Sequence, residues 1–373
     1  MPHDLSQAHT LIAHEWLFGP MGAERTLAEM LRVLPAAEVL VCLKSKAPSE
    51  PREVWSRARE TAVRLVPGAR RHYQWMLPLQ AAAFGAADTS RFDLVISSSH
   101  AFAKAAHAGA WGIHLCYCHS PPRYLWDLHD TYMAGASPQR KIAMRIGLGL
   151  LRSIDRRAAR GVTHFLANSQ HVAARIHRAY GRVARVVYPP VAPKPLAGIA
   201  PRSRDLFLLY LGRLVRYKRV DLMVQAAQRL GIRAVIAGDG PERQGLERMA
   251  RGSSLVEFRG RVTESEAATL LESCAAFIFC AEEDFGIAPL EANAHGAPVV
   301  ALGRGAALET LPATAAVLFP EPTVEALEAA TRSALSRSWD STALKANAER
   351  FSAAQFRASF RDALESALAG AVW

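Results

Sequence analysis

Two basic side chains follow a glycine in the second half of the chain, directly after a predicted strand. Gly212 permits a tight turn, Arg213 comes next, and Lys218 lies five residues later, before a predicted helix begins. Arginine presents a planar fork of donors and lysine a compact charge, and together they suit a pyrophosphate group. Taken alone, the segment has a second interpretation, a basic loop that is merely exposed to water.

A loop with two carboxylates follows a later strand of the same half. Glu283 and Glu291 are eight residues apart, and Gly286 and Pro289 between them favour a turn that leads into a helix. Backbone N–H groups at such a turn form an anion-binding nest, here those of Phe285, Gly286 and Ile287. The carboxylates can accept hydrogen bonds from sugar or ribose hydroxyls. The alternative is that Glu291 only complements the helix dipole, placed in the first helical turn, and that Glu283 is solvated.

The first half contains a run of polar and aromatic residues after a predicted strand, Cys116-Tyr-Cys-His-Ser-Pro-Pro-Arg-Tyr-Leu-Trp-Asp127. The members whose aromatic faces, guanidinium or carboxylate suit a sugar are Arg123, Tyr124, Trp126 and Asp127. In the alternative, the aromatic residues belong to the core and Arg123 pairs with Asp127. His14 and Trp16 close the first predicted strand, where His14 is either a ligand contact or a buried, hydrogen-bonded histidine.

The elements that must position these residues alternate between short β-branched runs and amphipathic stretches, which predicts parallel sheets with crossover helices. The strands predicted in the first half are residues 10–14, 39–43, 62–66, 92–97, 113–117, 162–167 and 185–188. Those of the second half are 206–211, 233–237, 255–259, 276–280 and 298–302. Helices are predicted between them, among them 220–230, 241–250 and 264–273, the last with a capping box from Thr263 to Glu266.

Four prolines in the eight residues 188–195 exclude a helix or a central strand and predict a stiff linker. The predicted domains are therefore 1–190 and 196–350, each an α/β, doubly wound, Rossmann-like domain. The final stretch, 351–373, is predicted to be an amphipathic helix that returns to the first domain. Because ligands of such sheets bind at the carboxyl ends of the strands, two domains facing each other predict a cleft there.

Together these segments resemble the retaining glycosyltransferases of family GT4, which have the two-domain GT-B architecture. The resemblance includes the E-x7-E spacing of Glu283 and Glu291, and the G-R-x4-K spacing from Gly212 to Lys218. Residues 19–25, 168–169, 237–241 and 303–309 also look like the family. The segment from His119 to Asp127 is similar to a pattern of bacterial mannosyltransferases that build O-antigens and exopolysaccharides. The first loop departs from the family, because residues 20–22 read Pro-Met-Gly where Gly-Gly is commoner.

The resemblance implies a hexosyltransferase that uses a nucleotide-sugar donor, with GDP-mannose expected, and a lipid-linked saccharide acceptor. The donor-binding residues it implies are Gly22, Gly212, Arg213, Lys218, Gly238, Arg261, Val262, Glu283, Phe285, Gly286, Ile287 and Glu291. In that scheme Arg213 and Lys218 neutralise the diphosphate, Glu291 binds the ribose and Glu283 the transferred sugar. The catalytic set implied is His119, Glu283, Arg213 and Lys218. The acceptor-binding set is His14, Trp16, Arg123, Tyr124, Trp126 and Asp127.

The leaving nucleoside diphosphate develops negative charge, which preorganised cations and helix dipoles can stabilise. The chain has no Asp-x-Asp motif, which would bind a metal ion that stabilises this charge. We therefore expect no metal and no cofactor other than the nucleotide-sugar co-substrate. In a retaining mechanism the leaving phosphate can itself take the acceptor's proton, so no dedicated carboxylate base is required.

The net charge of +11 predicts an anionic partner. No nucleic-acid signature is present, which leaves phosphorylated substrates or an anionic membrane surface. Residues 138–160 carry seven basic side chains against one acidic, and 69–77 add basic and aromatic ones, so a peripheral position on the inner face of the cytoplasmic membrane is expected. The alternative is an ordinary helix packed on the sheet with solvated arginines. Five cysteines without a CxxC pair predict buried free thiols, and with no signal-peptide pattern they indicate the cytoplasm.

Three other functions remain open on the sequence. The first is a UDP-sugar-dependent transferase of the same family, which would have the same phosphate site but bind a different nucleotide base. A nucleotide-sugar 2-epimerase of the same fold needs carboxylates on both sides of the sugar, and the segment from His119 to Asp127 argues against it. A catalytically inert scaffold is disfavoured because Arg213, Lys218, Glu283 and Glu291 are all present.

Overall fold

The computed structural model describes residues 5, 7–19, 22–48, 51–127, 138–191 and 205–370, and of residues 138–146 it describes only the backbone. The chain divides into two compact units, Met1–Pro190 with Ala353–Trp373 and Val191–Ser352. Half of the predicted proline-rich linker, residues 192–195, lies outside the described residues, as do Pro20 and Met21 of the first glycine-rich loop and the last three residues of the predicted C-terminal helix.

The sheet of the first unit has seven parallel strands in the order β3-β2-β1-β4-β5-β6-β7. Their bounds are β1 Thr10–Leu17, β2 Glu38–Lys44, β3 Ala58–Glu60, β4 Leu94–Ser99, β5 Ile113–Cys118, β6 His164–Ala167 and β7 Ala184–Val186. Every residue of β4 and β5 is buried, as expected for parallel strands covered on both faces. The strand order reverses between β1 and β4, so their carboxyl ends form the topological switch point at which ligands bind in such sheets.

The helices of the first unit are α1 Gly22–Val33, α2 Arg52–Arg57, α3 Ala69–His72, α4 Leu77–Gly85, α5 Arg123–Trp126, α6 Pro138–Arg160 and α7 Gln170–Tyr180. The C-terminal helix, α15 Ala353–Leu368, belongs to the same unit. Its Phe356 and Phe360 are buried, and the Phe356 ring lies 6.0 Å from that of Tyr117 in β5. Arg357 reaches Glu29 of α1 at 2.6 Å. The prediction of a helix that returns to the first domain is therefore confirmed.

The sheet of the second unit has six parallel strands in the order β10-β9-β8-β11-β12-β13. Their bounds are β8 Asp205–Leu211, β9 Arg233–Ala237, β10 Val256–Gly260, β11 Cys274–Phe279, β12 Val299–Leu302 and β13 Ala316–Phe319. The helices are α8 Val220–Leu230, α9 Arg243–Met249, α10 Glu264–Ser273, α11 Ile287–Ala294, α12 Ala307–Thr310, α13 Val324–Leu335 and α14 Ser341–Glu349. The switch point here lies between β8 and β11. The two doubly wound sheets confirm the predicted fold class.

Two predictions about strands need correction. Residues 62–66 are not a strand: Ala62–Leu65 form a 3-10 turn in which only Val63 is buried, and the edge of the sheet is β3 instead. Here the backbone of Thr61 already donates to Val41 at 2.9 Å, which ends the pairing before the apolar run begins. The short strand β13 is absent from the sequence prediction.

All five cysteines are buried and free, as predicted. Among the described residues, no helix combines the length and the apolar character that crossing a bilayer requires.

Candidate functional site

The glycine-rich turns after β8 and β9 lie backbone against backbone. Gly212 and Gly238 have φ angles of 152° and 144°, a region that favours glycine. A Cβ atom on Gly238 would lie 1.8 Å from the carbonyl oxygen of Gly212, so no other residue fits there without a shift. Leu214 N–H donates to the carbonyl of Asp239 at 2.9 Å and ties the two turns together. The close approach fixes the backbone from which the predicted cations project.

Lys218 is partly buried in the second unit, whereas Arg213 is exposed. Lys218 ends the 3-10 turn Arg216–Lys218, and its Nζ lies 5.4 Å from the centre of the Phe279 ring. The same Nζ is 2.5 Å from Oε1 of Glu283, with both side chains less than one-fifth exposed (19% and 16%). The structure therefore joins two of the predicted donor residues in one ion pair, between the loops that follow β8 and β11.

The loop after β11 is braced by the loop after β12. Ala306 N–H donates to the carbonyl of Glu283 at 3.1 Å. Gly305 has a φ of 63°, and a Cβ on it would lie 2.6 Å from the same carbonyl oxygen. Gly286, with a φ of 84°, is the N-cap of α11. This backbone path sets Glu283 opposite Lys218 and directs the start of α11 to the same edge of the sheet.

The other predicted donor residues have different environments. Glu291 lies in the second turn of α11, not in the first as predicted, because the helix already begins at Ile287. The side chain of Phe285 is buried, 5.4 Å from the ring of Phe351, so only its backbone is available to a ligand. Arg261 is exposed and Val262 half-buried, directly after β10. Gly22 is the first residue of α1, in the first unit.

At the switch point of the first unit, one serine hydroxyl lies between two histidines. Ser98 Oγ is 3.0 Å from Nδ1 of His14 and 2.9 Å from Nε2 of His119. Burial lowers the pKa of His14 to about 4 and that of His119 to about 3. Both rings are therefore neutral at pH 7. The structure brings together these two predicted residues, which are 105 positions apart in the sequence.

The same cluster contains a buried carboxylate that the sequence analysis did not single out. Oε1 of Glu15 accepts hydrogen bonds from Ser99 Oγ at 2.9 Å and from the backbone N–H groups of residues 100, 101 and 103. Its Oε2 lies 3.3 Å from Nδ1 of His100. Burial alone would raise the pKa of Glu15, but His100, His14 and the backbone N–H groups lower it to about 2. A charged carboxylate thus orients the half-exposed His100 ring, which lies 4.9 Å from that of Trp16.

The remaining predicted acceptor residues make contacts within the first unit. Trp126 donates from Nε1 to Asp155 at 2.9 Å. Asp127 pairs with Arg175, whose Nε is 3.1 Å from its Oδ2, so it does not depend on Arg123 alone for charge compensation. Tyr124 packs against the buried cluster around Phe102 and Leu125. Trp16, Tyr124 and Trp126 therefore pack against one buried cluster, whereas His14 and His119 meet at Ser98.

Acid is expected to destabilise the first unit from about pH 6.5 downward. The pKa values of His14, His119 and His114 are lowered by burial to about 4, 3 and 3, whereas in an unfolded chain they lie near 6.5. Between these values the unfolded chain binds protons that the folded chain does not. Each histidine therefore lowers the free energy of unfolding by up to about 1.4 kcal/mol per pH unit as the pH falls.

Urea denaturation at about pH 7.5, 6 and 5 tests this expectation, because carboxylates in the unfolded chain gain protons mainly below about pH 4.5. His114 allows a separate check, since it lies away from the Ser98 cluster and bonds Ser97 Oγ at 2.9 Å. Replacing it with asparagine should remove at most about one third of the slope, because burial also lowers the pKa values of His107 and His164. A free energy of unfolding that is constant from pH 7.5 to 5 would contradict the buried neutral state of these rings.

Two family models match the chain, one for each unit. Glycosyltransferase Family 4 matches residues 20–194, and Glycosyl transferases group 1 matches residues 197–351. The chain is 27% identical over 191 residues to human alpha-1,3/1,6-mannosyltransferase ALG2, a match that covers 42% of this chain and 46% of that protein. It is 35% identical over 140 residues to the GDP-mannose-dependent alpha-(1-6)-phosphatidylinositol dimannoside mannosyltransferase of Mycobacterium tuberculosis, covering 36% of each.

The matched regions thus span less than half the length of these curated relatives. A solved structure with the same fold is Anabaena Alr3699/HepE in complex with UDP and glucose, at a TM-score of 0.67 and 17% identity, over 95% of this chain and 99% of that one. With two doubly wound units and a family match over each, the chain belongs to the GT-B glycosyltransferases of the group 1 and family 4 type.

Proposed function

We propose that the protein is a retaining, metal-independent hexosyltransferase that transfers mannose from GDP-mannose to a lipid-linked saccharide in bacterial polysaccharide biosynthesis. The observation that carries the donor side is the arrangement at the switch point of the second unit. Arg213, Lys218 and the start of α11 lie at its carboxyl edge, with Glu283 beside Lys218. Two cations and a helix N-terminus suit a leaving diphosphate, and the carboxylate suits sugar hydroxyls.

The chemistry then needs no separate carboxylate base. As the bond between the sugar and the diphosphate breaks, Arg213, Lys218 and the N–H groups at the start of α11 stabilise the developing negative charge. The acceptor hydroxyl attacks on the same face of the sugar and passes its proton to the leaving phosphate. His119 is neutral at pH 7, so it can contact the substrate as a hydrogen-bonding group without adding charge.

GDP-mannose is the donor favoured by the named relatives, since one is GDP-mannose-dependent and both are mannosyltransferases. A UDP-sugar is the second candidate, favoured by the similar fold of the protein solved with UDP and glucose. A thermal-shift screen of GDP, UDP, ADP and dTDP with their sugars, with and without EDTA, separates them, because a ligand of the folded state raises its stability.

Stabilisation by GDP and GDP-mannose that EDTA leaves unchanged is the expected result. A response confined to UDP-sugars would exclude GDP-mannose as the donor, but it would still support the proposed phosphate site. No response to any nucleotide would contradict the transferase proposal itself.

A lipid-linked acceptor agrees with a basic and apolar surface in the first unit. Within residues 64–79, Leu65 and Trp75 are 69% and 83% exposed, and Leu79 is 42% exposed. Arg64 and Arg71 are exposed in the same segment. Aromatic and aliphatic side chains next to arginines suit the interface of an anionic bilayer, which supports a peripheral position on the inner face of the cytoplasmic membrane.

Flotation with vesicles tests the membrane proposal. We expect binding to vesicles that contain anionic lipid and little binding to neutral ones, with Trp75→Ser and Arg71→Gln each weakening it severalfold. Trp111→Ser is the matched control, because Trp111 is 87% exposed outside this segment. Equal flotation with anionic and neutral vesicles, or equal loss for Trp75→Ser and Trp111→Ser, would contradict this surface.

A further inference from the structure

The ion pair between Lys218 and Glu283 places a negative charge beside the cation that is to bind the diphosphate. The 2.5 Å separation of Nζ and Oε1 is a direct, charge-assisted contact. Both side chains are mostly buried, so water screens the pair less than it would at an exposed site. The carboxylate therefore occupies Lys218 when no ligand does, and a diphosphate must compete with it.

The backbone of Glu283 is held beside the lysine by contacts with the loop that follows β12. Its carbonyl accepts from Ala306, and Gly305 packs so closely that a Cβ there would lie 2.6 Å from that oxygen. Lys218 is restrained in turn between the rings of Tyr217 and Phe279, 5.6 and 5.4 Å from its Nζ. Only the side chain of Glu283 is thus available to respond to a ligand.

The donor substrate and the nucleotide product differ in the groups that they present to the Glu283 carboxylate. A nucleotide sugar brings hydroxyl donors, which Glu283 can accept in place of the Lys218 ammonium. A nucleoside diphosphate has no sugar hydroxyls there, and its terminal phosphate carries a further ionisable oxygen with a pKa near 6. The product is therefore more negative than the substrate at the position nearest to a fixed negative charge.

We propose that Glu283 discriminates between substrate and product, admitting the nucleotide sugar and weakening the binding of the nucleoside diphosphate that is left after transfer. This inference rests on the proposed function. The glutamate accepts hydroxyls while the sugar is attached, and it competes for Lys218 once the sugar has gone. Its charge thereby favours product release, in addition to any contact it makes with the transferred sugar.

Calorimetric titration of GDP, UDP and their common sugar nucleotides into the wild type, E283Q and E282Q tests the proposal. Glu282 is the adjacent residue, exposed to solvent, and E282Q changes the net charge by the same amount. For E283Q we expect the Kd of the nucleoside diphosphate to fall about five- to tenfold, and the Kd of the matching nucleotide sugar to rise. E282Q should change neither by more than about twofold.

In E283Q the Kd should thus change in opposite directions for the nucleoside diphosphate and the nucleotide sugar. If Glu283 only contacted the sugar, the Kd of the nucleoside diphosphate would be unchanged in this variant. An unchanged or higher Kd for the nucleoside diphosphate would overturn the inference while nucleotide binding still supports the proposed function. If no nucleotide binds to the wild type or the variants, both fall together. E283A, which lacks the amide as well as the charge, should shift the nucleoside diphosphate in the same direction as E283Q and guards against a folding defect in one variant.

Discussion

Replacing Lys104 with methionine is expected to lower the free energy of unfolding of the first unit by about 3–5 kcal/mol. Lys104 and Asp155 form an ion pair of 2.6 Å with side chains that are 1% and 0% exposed. The Lys104 ammonium also donates to the carbonyl of Ala101. Methionine matches the lysine side chain as far as Cε, so the variant removes the ammonium with little change in volume and leaves the carboxylate buried without its cation.

Urea denaturation of the wild type, Lys104→Met and Lys46→Met measures this effect. Lys46 is exposed in the same unit, and its replacement makes the same change of net charge. We expect the control to stay within about 0.5 kcal/mol of the wild type. A loss below about 1 kcal/mol for Lys104→Met would show that the carboxylate is satisfied without the lysine.

Removing Asp155 as well should restore only part of the loss. Oδ2 of Asp155 accepts from Trp126 Nε1 at 2.9 Å and from Tyr180 OH at 2.8 Å. In the double variant Lys104→Met with Asp155→Leu no charge is buried, but both donors lose their acceptor, and each unsatisfied group costs about 1–3 kcal/mol. With the single variant Asp155→Leu these proteins complete a double-mutant cycle, and its coupling energy separates the ion pair from the hydrogen bonds.

This network also shows contacts of the predicted acceptor residues that the sequence does not reveal. The residues around Trp126 were interpreted as a sugar-handling set, yet Trp126 bonds an aspartate 29 positions away and Asp127 pairs with Arg175. A lysine is rarely fully buried, and nothing local to Lys104 indicates that Asp155 lies beside it. Only the tertiary fold brings these charges together.

The helices and most strands were predictable because their signals are local. Val220–Leu230 and Glu264–Ser273 have the predicted bounds, and the capping box of Thr263 and Glu266 is present. The four-residue strand β13 was missed. Residues 62–66 form a short, mostly apolar run with two valines, which is typical of a strand, but β3 already occupies the edge beside β2.

The two switch points differ in how much the sequence revealed. In the second unit each cation or carboxylate follows its own strand with a glycine nearby, so the loops could be recognised separately. In the first unit the pairing of Glu15 with His100 depends on β1 lying beside β4, and strand order is not encoded locally. The run of Ser97, Ser98, Ser99 and His100 at the end of a buried strand was the one local signal that could have identified it.

Replacing Lys218 with alanine is expected to lower kcat by about 10²–10³. The ammonium is to neutralise the diphosphate as it leaves, and that charge develops only as the bond breaks, so kcat falls more than the affinity for the donor. Stability should fall by about 1–3 kcal/mol, because the partly buried ion pair with Glu283 is lost. Glu283 keeps partial access to water in the variant.

The rate of nucleoside diphosphate release from the donor that stabilises the wild type, measured with the lipid-linked acceptor fraction in excess, tests this prediction. Arg216→Ala is the control, since Arg216 is exposed on the same 3-10 turn. It should retain near wild-type turnover, and urea denaturation of both variants separates folding from catalysis. Full turnover in a folded Lys218→Ala protein would mean that Arg213 and the start of α11 stabilise the leaving diphosphate by themselves, and that the lysine serves mainly to hold Glu283.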